Sequence, residues 1–132
     1  TFADADLIFY GFWTDRLSCP EQSQKLMPQL PATKIALFAT AGFGEGQEYF
    51  QKIMDNAVQY LPQGATLLDT FTCTGKMPMS VQEQYIKLLH DPVIGEQAKT
   101  MLQNYDLVKG HPDKADLEAA AAFAKKQYDA VK

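Results

Sequence analysis

The chain has 132 residues, of which 46% are hydrophobic, and a formal net charge of −4. That size and composition fit one globular domain. The acidic balance argues against nucleic acid or an anionic membrane as partner and suits a basic partner protein, and no apolar run approaches the roughly 18–20 residues that span a bilayer.

The first residue is Thr1 rather than Met, and a strand-like run follows almost at once. No basic segment precedes that run and aspartates interrupt it, so no signal peptide is expected. The start reads as that of a chain from which residues have been removed, or of part of a longer protein. Residues 7–10 are continuously apolar and predict a first buried strand, ended by the GFWT of residues 11–14. Residues 15–20 are loop-like. Ser18 is a candidate cap there, and Pro20 suits the first position of a helix to about Gln29. Residues 34–39 predict a second strand, with Ile35 to Phe38 as its apolar centre.

The small-residue loop TAGFGEG at 40–46 leads into an amphipathic helix to about Leu61. Its apolar positions Tyr49, Phe50, Ile53, Met54, Ala57, Val58 and Leu61 recur at three and four. Glu45 and Glu48 suit its N-terminus, and Pro62 and Gly64 stop it. Residues 65–71 predict a third strand in which Asp69 is awkward, and 72–79 a glycine-containing loop. Ser80 with Glu83 three residues on predicts a capping box for a helix to about His90. Pro92 starts another helix to about Tyr105, and residues 113–130 form a final alanine-rich helix.

The order β-α-β-α-β-α-α-α with right-handed crossovers predicts an α/β fold: a three-layer open parallel sheet with helices on both faces. Three strands are few for that architecture, which agrees with a chain that lacks its beginning. Cys19 and Cys73 are too few to form a secreted disulfide framework, so reduced thiols in a cytoplasmic setting are expected. A transient disulfide between them stays open if their loops meet. They do not supply the four convergent ligands zinc takes, and no metal site is expected. Neither His90 nor His111 stands in a nucleophile motif. His111, before Pro112 and Asp113 at a helix start, suits capping or loop packing. With no G-x-S-x-G elbow, GxGxxG or Walker loop, no catalytic residue is named.

Four segments carry a resemblance: GFWTD at 11–15, TAGFG at 40–44, CTGKM at 73–77 and HPD at 111–113. In this order they resemble the flavodoxin family. More narrowly, the chain is similar to a small bacterial flavodoxin-like group, some of whose members accompany bilin-reducing flavoenzymes. The likeness runs from Asp6 to Val131. It implies a parallel sheet in order 2-1-3-4-5 with FMN at the C-terminal strand ends, the strands here standing for the third, fourth and fifth. The family's first two strands and its Ser/Thr-rich phosphate loop have no match. The expectation is therefore a single flavodoxin-like domain over residues 1–132, truncated at its N-terminus.

The resemblance places cofactor contacts at Phe12, Trp13 and Thr14, at Thr40, Ala41, Gly42, Phe43 and Gly44, and at Cys73 and Gly75. A flavin protein must hold a phosphate dianion, sandwich a planar ring and control charge near N1 and N5. Trp13 offers a flat face, or packs over the strand end. Thr14 and the backbone of 12–15 can bond ring-edge atoms, while Asp15 is expected to accept its own loop amides. Gly42 and Gly44 permit close backbone approach, and Phe43 can shield a ring or meet a partner. Lys76 can meet a reduced flavin or a partner's carboxylate, or be a plain surface lysine. No segment offers an evident phosphate nest. The implied function is an FMN-binding electron-transfer protein serving a partner reductase. The alternatives are a non-catalytic interaction subunit without flavin, self-associating through the exposed edge of the first strand, and a small FMN-dependent quinone-type reductase.

Overall fold

A computed structural model describes residues 3–42, 47–77 and 79–132. Three strands, β1 (Leu7–Trp13), β2 (Lys34–Ala41) and β3 (Thr66–Thr74), form one sheet in the order β1-β2-β3. Both pairings are parallel, Leu7 to Trp13 lying against Lys34 to Thr40 and Lys34 to Ala41 against Thr66 to Thr74. Helices fill the crossovers: α1 (Glu21–Leu26) between β1 and β2, and α2 (Gln47–Ala57) between β2 and β3. After β3 come α3 (Met79–Leu88), α4 (Gly95–Val108) and α5 (Lys114–Val131). The α/β order and the open parallel sheet agree with the sequence. Among the described residues, no helix is long and apolar enough to cross a membrane.

All three strands run past their apolar stretches. The Gly11–Trp13 residues, Thr40 and Ala41, and Thr72 to Thr74 were expected in loops and are strand. Ladder hydrogen bonds continue through them because pairing is a backbone property. Gly11 is tolerated in β1 because the Phe38 ring lies over it, where a Cβ would come within 2.4 Å of ring carbons. Ser18 does not cap α1; Pro20 occupies the cap position without a side-chain bond. Ser80 lies inside the first turn of α3, which begins at Met79.

Side chains alternate across the sheet. Ile8 and Phe12 of β1 and Ile35, Leu37, Ala39 and Ala41 of β2 pack with Met27, Ile53, Met54 and Ala57, forming the core under α1 and α2. The other face meets α5, whose Phe123 stacks on Phe71 at 5.6 Å and meets Phe9 edge-on at 6.4 Å. Asp69 explains itself here. A bulge leaves Leu68 unpaired and shifts Asp69 opposite Ala36. The Asp69 carboxylate accepts from its neighbour Thr70 N at 2.8 Å and from the buried Gln127 Nε2 of α5 at 3.3 Å. That bond fixes the C-terminal half of α5 to β3.

The other end of α5 is held by a capping box. Asp113 accepts from Asp116 N and Asp116 accepts from Asp113 N, each at 2.9 Å. His111 Nδ1 adds a 2.6 Å contact to the same Asp116 carboxylate. That bond raises the His111 pKa above its ordinary value and lowers that of Asp116. The His111 contribution is complete below its unfolded value of about 6.5 and is lost as pH rises through the raised folded value. The Asp116 contribution is complete above about 3.9 and is lost as pH falls through the lowered folded value. The pair thus stabilises α5 most between about pH 4 and 6.5. His111→Ala should flatten the loss of thermal stability between about pH 6 and pH 8, measured by circular dichroism. Asp69→Ala, which strands the Gln127 amide, should cost about 1–3 kcal/mol in denaturant unfolding.

Candidate functional site

Parallel strands bring their C-terminal ends together, and in open α/β sheets that is where ligands sit. Here those ends are Trp13, Ala41 and Thr74. A cavity of about 510 Å³ opens among the residues just beyond them, lined by Thr14, Arg16, Leu17, Gly42, Tyr49 and Met77. Backbone bonds tie the strand ends beside it. Thr14 N donates to Thr40 O at 3.0 Å, and Gly75 N donates to Ala41 O at 2.9 Å. The Thr14 hydroxyl oxygen is shut off from solvent and has no hydrogen-bond partner. An orphaned hydroxyl is costly, and an unsatisfied polar atom beside a cavity calls for an explanation.

After Thr14 the chain reverses in two residues. Asp15 and Ser18 exchange both backbone hydrogen bonds, at 2.8 and 3.0 Å. Between them Arg16 (φ 50°) and Leu17 (φ 62°) are both in the left-handed region. This region usually goes to Gly, Asn or Asp, and other residues meet a cost of about 1–2 kcal/mol each. Asn56 of α2 clamps the turn by donating to Leu17 O at 2.7 Å. The Asp15 carboxylate, expected to bind its own loop amides, makes no hydrogen bond among the described residues; the backbone pair does that work instead. From the other side, Asn104 of α4 donates to Gly42 O at 3.2 Å.

A second cavity, about 410 Å³, lies between the sheet and α5, bounded by Phe9, Phe38, Thr40, Cys73, Leu117 and Phe123. Its exposed surface is apolar. The sequence-predicted residues divide between these places. Thr14 and Gly42 line the strand-end cavity, and Thr40 and Cys73 the apolar one. Phe12 and Ala41, expected at the cofactor, have side chains buried in the α1–α2 core. Alternation sends them there: in a strand, Ala41 points opposite to Thr40. Trp13 is 59% exposed. Gly75 abuts Thr40, and Phe43 and Gly44 lie outside the described residues.

Arg16, Tyr49 and Asn104 were not anticipated. An asparagine within a helix, where its propensity is poor, was the available signal for Asn104. Cys19 is a core residue on the α1–α2 side and Cys73 faces α5, so the sheet separates them. Burial raises both thiol pKa values, and for Cys73 the Asp116 and Asp113 carboxylates raise it further. Neither is poised as a thiolate. Ligand atoms of His111, Asp113 and Asp116 lie within 4.8 Å of one another, but the two carboxylates are engaged in the α5 cap.

Residues 1–125 match a family model described as a flavodoxin domain. The chain is 35% identical over 127 residues to the flavodoxin-like domain-containing protein BilS of Clostridium symbiosum, covering 92% of this chain and 67% of that protein. It is 28% identical over 124 residues to the protein of the same name from Clostridioides difficile, covering 94% of this chain and 70% of that one.

The strand-end geometry depends on Gly75, because a Cβ there would lie 2.8 Å from Thr40 Cβ, an atom too close to the backbone to swing away. Gly75→Ala should therefore destabilise the chain by about 1–3 kcal/mol, read from denaturant midpoints at unchanged m-value.

Proposed function

The chain belongs to the flavodoxin domain family, and from that premise we propose that it binds FMN at the strand-end cavity and serves electron transfer with a partner reductase. The observation that supports this most is the orphaned Thr14 hydroxyl beside a cavity at the C-terminal ends of a parallel sheet. A hydroxyl both donates and accepts, and the rim of an isoalloxazine ring carries carbonyl oxygens and ring nitrogens that it can satisfy. A cavity of about 510 Å³ is in the range of small-ligand sites.

The neighbouring backbone amides of Thr14, Asp15 and Gly75 are already bonded within the fold. The side chains of Thr14 and Arg16, which line the cavity, are available for polar recognition. Trp13, exposed beside the site, is available as a flat stacking surface. Only the ring's place is assigned to these residues, not a phosphate cradle. FMN, when bound, supplies the electron transfer. The chain's part is to bind and orient the ring and to limit water, which needs no general acid or nucleophile.

A second reading has its own observation. β1 is an edge strand, and Phe9, Trp13 and Phe38 are 40%, 59% and 43% exposed. A strand at the edge of the described sheet, beside exposed aromatics, can pair with a strand of a second copy. In that reading the chain is an interaction subunit without flavin that self-associates. Light scattering across a concentration series tests it, and a strict monomer would count against it.

The main reading is tested by adding FMN and recording flavin fluorescence and the visible spectrum. Thr14→Val should leave the flavin-free protein as stable or more stable, since it removes an unsatisfied buried group. The same change should weaken FMN about 3–10-fold, the worth of one hydrogen bond. If wild-type protein neither quenches FMN fluorescence nor perturbs its spectrum, the proposal fails.

A further inference from the structure

We propose that Arg16 makes this site favour the reduced, anionic form of a flavin over the neutral oxidised form. The inference rests on the FMN reading above and adds the group that sets the site's charge preference.

Arg16 lines the strand-end cavity with Thr14 and Gly42. Among the described residues it makes no ion pair and no side-chain hydrogen bond. This is not for want of acids nearby. Asp15 precedes it and Glu21 shares an adjoining cavity with it, but Glu21 is paired with Lys25 at 3.1 Å. Glu48 borders the next cavity along with Leu17, Tyr49 and Lys52. An unpaired cation in an acidic chain is available to a ligand anion.

The turn that carries Arg16 supports the same conclusion. An arginine needed only for solubility can stand on any flexible loop. This one stands in a two-residue reversal with consecutive left-handed residues, closed by the Asp15–Ser18 pair and clamped by Asn56. Strained backbone that its surroundings over-determine is a feature of binding and active sites. The result is a fixed starting point for the guanidinium beside the orphaned Thr14 hydroxyl.

Adding two electrons and one proton to the neutral oxidised ring leaves one net negative charge, spread over N1 and the adjacent carbonyl. The electrons come from an external reductant, dithionite in the experiment below. A guanidinium exposed at the cavity's edge attracts that charged form and not the neutral one. The chain's net charge of −4 pulls the other way, so a local cation is where such a preference would have to originate.

The experiment compares wild type, R16K and R16Q under anaerobic conditions. Affinities for oxidised and dithionite-reduced FMN, and for oxidised and reduced riboflavin, are measured by fluorescence and absorbance titration, with potentials from dye equilibration. R16Q should lose about tenfold more affinity for the reduced than for the oxidised form. That difference equals a midpoint lowered by about 30 mV for a two-electron couple. R16K should keep most of the preference. Riboflavin should behave as FMN does, because the ring and not the phosphate is recognised. The thermal midpoint of the flavin-free variants should stay at the wild-type value. Equal weakening of both oxidation states, an effect seen with FMN and absent with riboflavin, or an unmoved potential would each overturn the role of Arg16 while leaving flavin binding intact. Wild-type protein that binds neither flavin would overturn the FMN reading and this inference together.

Discussion

Everything in this molecule hangs on β2. It is hydrogen-bonded on both sides, to β1 and to β3, and its Ile35, Ala36 and Leu37 are wholly buried. Removing those residues from water is the main favourable contribution, and satisfying β2's backbone on both flanks makes that burial possible. With both ladders parallel, each crossover must return the chain to the same end of the sheet, and α1 and α2 do that. One consequence is geometric: the three strand ends, and the loops that follow them, are brought together at one rim.

At that rim the fold is economical with polar groups. The amides of Thr14, Asp15 and Gly75 are spent on closing the ladders and the two-residue turn. Among the described side chains there, Thr14 has an orphaned hydroxyl, Arg16 an unpaired guanidinium and Trp13 an exposed indole. The supports are side-chain clamps from helices distant in sequence, Asn56 on Leu17 O and Asn104 on Gly42 O. Such polar bonds hold loops in place without filling the cavity between them. The apolar cavity beneath α5 has a different character, since its walls are sheet aromatics and alanine-rich helix.

The order and type of the elements were legible because three apolar runs alternate with periodic helical patterns. Strand ends were less so. GFW, Thr40–Ala41 and TCT look like loop, yet the ladder carries them, since neighbouring strands offered partners the local composition does not reveal. Thr14 and Gly42 line the strand-end cavity, while Phe12 and Ala41, which the resemblance places at the site, turn their side chains into the core. Period-two alternation turns every second residue of such a segment into the core. Arg16 was invisible for another reason. Its left-handed turn has none of the Gly or Asn markers by which such turns are recognised, and the Asp15–Ser18 pair and the long-range clamp from Asn56 hold it. Asp69 was correctly flagged as awkward, but its answer, a bulge and the buried Gln127, lies 58 residues further along the chain.

The separation of the two sulfur atoms by the sheet has a chemical consequence. Reversible oxidation of a cysteine usually relies on a second thiol that condenses with the sulfenic acid before further oxygen is added. Cys73, facing α5, cannot find Cys19 through a layer of paired strands. An oxidised Cys73 would have to be rescued from outside by a small diffusible thiol, or proceed to the irreversible acids. Burial, and then its carboxylate neighbours, keep it a protonated, slow-reacting thiol. Chemical endurance at this position thus comes from keeping the first oxidation rare, because Cys19, on the other face of the sheet, cannot resolve it.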